Sequence, residues 1–334
     1  MKLSVLDQST AAKGRTQDCS IRETLAYAKH CDELGYHRYW VSEHHNSGNI
    51  VGTAPEVLLA AIGATTQRIR IGSAGVMLPH YSAYKVAEQF RVIESIAPGR
   101  VDLGVGRAPG SDRLTSMALN PHPDDVHDQF PRQIQEMQCW LTGTPLPDGH
   151  PFQRVVAHPT GPTFPTMWVL GSSDYGAQLA AYLGIPYAFA YFFSYGFDVA
   201  AALALYRKNY RPSERHPKPQ CTICVFALAA DTEEEALYQF KPRERALMER
   251  EYGIRQPLAS PEETAARKLT PEEERFREKL LKHAVVGTAV QVKTRLDELA
   301  KRLDLDELVI VTWTYDVAPR MRSYELLAQA YGLK

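Results

Sequence analysis

The sequence predicts an α/β fold, a (β/α)8 TIM barrel with insertions, and three observations lead there. Short apolar runs of strand length alternate with amphipathic stretches of helix length from the first residues to the last. Eight such pairs can be counted, and no linker divides them into halves. The chain has 334 residues, and barrels of this kind routinely exceed about 250 residues as one unit. The expected organisation is a single barrel domain over 1–334, with loop insertions near 108–127, 143–165 and 242–283.

The elements follow in order. Leu3 to Asp7 reads as the first strand. Ile21 to Leu34 reads as a helix, with Ser20 as N-cap, Glu23 at the capping-box position and Gly35 as its stop. Tyr39 to Ser42 is the second strand, and Ala54 to Gln67 a helix with Pro55 in its first turn. Ile69 to Ala74 is the third strand, Ala83 to Ser95 the third helix and Val101 to Val105 the fourth strand. The region 108–127 reads as a loop, and Val126 to Leu141 as a helix. Residues 142–165 are rich in Pro and Gly, with room for a small hairpin. Thr166 to Leu170 and Tyr187 to Phe192 read as strands, followed by helices over Tyr175 to Leu183 and Phe197 to Tyr210. Cys221 to Ala229 is the seventh strand, and a helix starts at Thr232. The stretch 242–283 is dense in Arg, Glu and Lys and reads as a solvated, partly helical insertion. Thr288 to Leu303 resumes the pattern, Leu308 to Trp313 is the eighth strand and Arg320 to Tyr331 the last helix.

Bulk properties exclude several classes. The formal net charge is −1, so general attraction to nucleic acid or to anionic lipid is not expected. No apolar run is long enough to span a membrane, and Leu3 to Leu6 is too short for a signal-peptide core, so a cytoplasmic protein is expected. Five cysteines make no disulfide scaffold. Cys221 and Cys224 form a C-x-x-C spacing inside a strand. Residues three apart in a strand face opposite ways, so the thiols diverge and read as structural.

Barrel active sites form at the C-terminal ends of the strands. The residues there include Asp7-Gln8, Glu43-His44-His45, Ala74-Gly75, Gly106-Arg107, Gly171-Ser172-Ser173-Asp174, Phe192-Phe193-Ser194 and Trp313-Thr314-Tyr315. A zinc site is disfavoured, because adjacent His44 and His45 diverge and only Asp7 offers a third ligand. Arg107 with Ser172, Ser173 and a following helix start would suit a phosphate, though Ser-Ser-Asp is equally an ordinary N-cap. Gly104 to Gly110 misses the dinucleotide spacing by one residue, and Pro109 interrupts it. Glu43 beside two imidazoles suits acid/base work by one of them, the other being a packed residue.

Three ordered segments, Trp40 to Asn46, Ile71 to Pro79 and Gly99 to Arg107, together with Val169-Leu170-Gly171-Ser172-Ser173, resemble the bacterial luciferase-like flavin monooxygenases. The non-luminescent branch is the nearest in pattern, and the likeness is strongest from residue 1 to about 107. The resemblance implies a homodimeric barrel that takes reduced FMN from a separate flavin reductase and oxygenates a small organic substrate through a flavin peroxide. It implies His44 as the catalytic histidine, Ala74-Gly75 as a cis peptide beneath the flavin ring, and Arg107, Ser172 and Tyr175 around its phosphate, with no metal. The 242–283 segment would be the active-site lid. Gly106 and Leu6 depart from the luminescent members, which have a cysteine and an aromatic there, and this argues against light emission. A deazaflavin- or NAD(P)H-linked oxidoreductase, or a flavin-binding protein without turnover, are the alternatives.

Overall fold

Alternate strand residues lie in two apolar environments, and that alternation builds the molecule. Leu3 and Val5 pack outward against helices, whereas Leu6 and Trp40 face an inner cluster. The computed structural model describes residues 1–108, 112–120, 126–193 and 198–334. The order is β1 (Lys2–Asp7), α1 (Gln17–Glu33), β2 (Arg38–Val41), α2 (Pro55–Thr65), β3 (Arg70–Met77), α3 (Ala83–Ile96), β4 (Val101–Gly106), α4 (Arg113–Leu119) and α5 (Val126–Thr142). There follow β5 (Thr166–Gly171), α6 (Asp174–Leu183), β6 (Tyr187–Ala190), α7 (Val199–Asn209), β7 (Cys221–Ala230), α8 (Glu233–Glu251), α9 (Pro261–Ala265) and α10 (Pro271–His283). The chain ends with β8 (Val285–Thr288), α11 (Ala289–Leu303), β9 (Glu307–Val311) and α12 (Val317–Tyr331).

Eight strands close a parallel ring. Each of β1 to β6 pairs with the next, β7 pairs with β9, and β9 returns to β1. This is the (β/α)8 barrel expected from the alternation.

Several expected boundaries are corrected. Val285–Thr288 is an extra short strand outside the ring, paired only with the end of β7, so the eighth barrel strand is the ninth in the chain. Four residues beyond a charged stretch carry too little periodicity to show it. Helix α1 starts at Gln17, so Ser20 lies inside it and is no cap; its first turn is polar and lacks an apolar stripe. The 108–127 region holds α4, whose N-cap Asp112 accepts from Thr115 N. No hairpin forms among the described residues 142–165. Prolines remove donors there, and Arg91 instead binds the carbonyls of Leu141, Pro159 and Thr163. Pro242 does not open an insertion but lies within α8. Pro109, Gly110, Ser194 and the expected helix start at Phe197 lie outside the described residues.

The bottom of the barrel is closed by ions. Arg38 donates to Asp102 at 2.6 Å and to Glu307 at 2.5 Å, and Arg70 reaches the other Asp102 oxygen at 2.6 Å. Ser4 donates to Glu307 at 2.6 Å. Burial alone would push the Asp102 carboxyl up, but Arg38 and Arg70 outweigh it and hold it below its ordinary value. Arg38 also lies 4.9 Å from the ring of Trp168, which meets Trp40 edge-on at 5.2 Å. This aromatic layer separates the ionic floor from the mouth.

Candidate active site

The strand ends surround one cavity of about 660 Å3, a size ordinary for small-molecule sites. His44, Ala74, Gly75, Arg107, Ser172 and Tyr175 all line it. Six residues chosen from four separate strand ends therefore converge.

His44 follows β2. Its amide donates to Gly52 O at 3.0 Å, and its Nδ1 lies 3.2 Å from Ser42 Oγ. Burial, followed by the positive field of Arg255, lowers its pKa from 6.5 to about 4. The ring is therefore neutral at ordinary pH. Glu43 and His45 have a different task. Glu43 is buried and accepts from Met77 N at 3.0 Å and Tyr81 OH at 2.6 Å, with His45 Nε2 at 2.7 Å. It thus ties the end of β2 to the end of β3.

That end of β3 is irregular. The Ala74-Gly75 peptide is cis, and the register with β4 shifts between Ala74 and Val76. Only glycine fits at 75. A Cβ there would stand 2.4 Å from Leu170 Cδ1 and 2.7 Å from Gly104 O, so the backbone forms the cavity wall directly.

At the other side, Arg107 stacks on Tyr175, with Cζ 3.8 Å from the ring centroid. This joins the end of β4 to the start of α6. Ser173 occupies the N-cap position of α6, yet its side chain makes no capping bond. The two readings of Ser-Ser-Asp separate here: the first amides of α6 are not capped by that hydroxyl. A phosphate fits this donor set of guanidinium, hydroxyls and helix amides. Apolar residues including Leu6, Ala74, Leu170 and Ala188 supply walls suited to a flat ring.

Residues from α8 and the turn beyond it also line the cavity; they lie within the expected 242–283 segment, but the sequence reading singled out none of them. Arg243, Ala246, Leu247 and Arg250 line it at i, i+3, i+4 and i+7, one face of a helix, and Arg255 follows. The stripe was present in the sequence but disguised, since two of its four members are arginines. Within 242–283 the lining residues are confined to 243–255. Leu258 already pairs with the β1–α1 loop at Ala11 and Lys13.

Other candidates lie elsewhere. Asp7 is buried against Tyr39 and Arg320, 2.7 Å from each. Tyr315 bonds Lys13 O. Among the described residues, no three His, Cys, Asp or Glu side chains are grouped to hold a metal, and no helix is long and apolar enough to cross a membrane. Cys224 faces the cavity while Cys221 packs on the outer cluster, so the thiols diverge.

The profile of the luciferase-like monooxygenases matches residues 1–305. The YwcH protein of Bacillus subtilis is 42% identical over 99% of both chains. A luciferase-like monooxygenase of Escherichia coli K12 is 36% identical over 97% of this chain and 95% of its own. The crystal structure of apo-MsnO8 superposes with a TM-score of 0.90 at 33% identity, covering 100% of this chain and 98% of that one. The chain belongs to the luciferase-like monooxygenase family, and so to the flavin-dependent oxidoreductases. More distant barrels share the fold at under 25% identity; one is described in complex with FMN and another with an F420 adduct.

Proposed function

We propose that the protein is a monooxygenase that uses reduced FMN and O2 to oxygenate a small organic substrate. The observation that carries this is the convergence of His44, Gly75, Arg107, Ser172 and Tyr175 on one cavity with an uncapped helix start at one end. Arg107, Ser172 and Tyr175 would hold the phosphate, and Ala74-Gly75 would support the ring. Reduced FMN, when bound, supplies the electrons that activate oxygen.

The chain's own residues supply the rest. Ser42 engages Nδ1 of His44, leaving Nε2 as the atom that accepts or returns a proton in the cavity. Burial keeps that ring neutral. Residues 243–255 act as the lid and exclude water over the reacting atoms. A separate flavin reductase, a homodimer and a cytoplasmic setting belong to the same reading.

FMN binding by fluorescence quenching tests it. Arg107→Ala should weaken binding about tenfold or more, the worth of a charge-assisted bond. Oxygen uptake with photoreduced FMN separates oxygenation from hydride transfer, and sedimentation of the same samples reads the dimer. Wild-type protein that binds neither oxidised nor reduced FMN better than an unrelated barrel would refute the reading.

A further inference from the structure

Three arginines besides Arg107 line the cavity, all from the lid: Arg243, Arg250 and Arg255. Arg243 is packed, its guanidinium 4.1 Å from the Phe226 ring and 4.8 Å from that of Trp313, and it donates to Phe192 O. The other two are held differently. The acid nearest Arg250 is its sequence neighbour Glu251, at 3.8 Å. Arg255 is exposed and makes no ion pair among the described residues. Among the described residues the carboxylate in the cavity lining is Glu43, and it is occupied by Met77 N, Tyr81 and His45.

The position of these arginines is built rather than incidental. The backbone of Arg255 lies directly on the loop that carries His44, where a Cβ on Gly48 would be 2.5 Å from Arg255 O. Three residues on, Leu258 is fastened to the β1–α1 loop by bonds of 2.8 Å in both directions. Arg250 sits on the same α8 face as Ala246 and Leu247, so a charged head borders an apolar wall. The phosphate-suited group comes from β4, β5 and α6, whereas this pair comes from the segment after β7, with Arg255 resting on the loop after β2. The cavity thus draws cationic side chains from two separate parts of the chain, with apolar residues such as Leu6, Ala74, Leu170 and Leu247 also in its lining.

Resting on the flavin reading above, we propose that the substrate is a small organic carboxylate, its acid group held by Arg250 and Arg255 and its apolar remainder lying beside His44. Arg255 has no acid partner among the described residues and Arg250 only its sequence neighbour Glu251, and a guanidinium can meet a planar carboxylate with two N–H groups. The field of Arg255 already acts on His44, which places the acid subsite next to the proposed proton-transfer group.

The test is calorimetric titration of the FMN-loaded protein with 3-(phenylthio)propanoate and with its methyl ester. The acid should bind at least tenfold more tightly than the ester. Arg250→Ala and Arg255→Ala should each weaken the acid about tenfold and leave the ester unchanged. Arg255→Lys should recover most of the loss, and FMN affinity should stay within twofold in all variants. Equal binding of acid and ester to wild type overturns the proposal. Loss of FMN affinity in the arginine variants also overturns it, by assigning the pair to the cofactor. If wild type binds no FMN, the flavin reading fails instead, and the same acid–ester comparison on the protein alone still decides the subsite.

Discussion

His44 shows how one side chain is tuned by its place. Its ring takes up a proton near pH 6.5 when unfolded and near pH 4 when folded. Between those values the unfolded chain binds more protons, so folding stability is fully present above about pH 6.5 and declines as the pH falls toward 4. His44→Gln removes this contribution. Its urea midpoint should fall less between pH 7 and pH 5 than that of wild type. The same variant should retain FMN while turnover drops about 10²- to 10⁴-fold, the usual worth of a positioned acid or base. Joint loss of FMN binding and folding would return His44 to a packing role. Glu43 and His45, adjacent in sequence, differ in kind: their bonds to Met77 N and Tyr81 make them braces for the β3 end.

At the scale of elements, α8 joins structure to access. Its cavity face ends in the turn that seats Arg255 against Gly48. Gly48→Ala puts a methyl against a backbone carbonyl, which cannot yield as a flexible side chain would. The turn should lift, and tryptic cleavage after Arg250 and Arg255 should quicken severalfold with little change in overall stability; an unchanged cleavage rate would show that the turn is not fastened there. The strands and most helices were legible because apolar periodicity is strong wherever one face is buried. Strand-end residues were legible for the same reason, since the barrel rule assigns them to the mouth. The lid face was not. Arg243 and Arg250 count as polar in any pattern, and only the fold shows that one packs between aromatic rings and the other borders the cavity. Val285–Thr288 escaped because four residues pairing with a distant strand leave no local signal.

The whole molecule divides its tasks between two ends. The floor joins Arg38, Arg70, Asp102 and Glu307 across four strands, while the mouth carries the site. Arg38 is 3% exposed, so Arg38→Met leaves two buried carboxylates short of a partner. A loss of about 3–5 kcal/mol is expected by chemical denaturation. FMN affinity of the folded fraction should stay within twofold, because the Trp40–Trp168 layer lies between the ends. A large affinity loss would show that floor and mouth are coupled.

The diverging cysteines have a bearing on endurance. Cys224 sits in the cavity wall, where burial pushes its thiol up to about 12. Thiolates, not thiols, are the forms that oxidants attack first. A sulfur in the cavity wall that is kept protonated across the ordinary pH range is a poor target for oxidants. Its partner in the C-x-x-C spacing faces the opposite side of the strand, so no disulfide can form between them to distort the wall. The alternation of a single strand thus keeps the one thiol in the cavity wall protonated and out of reach of the other.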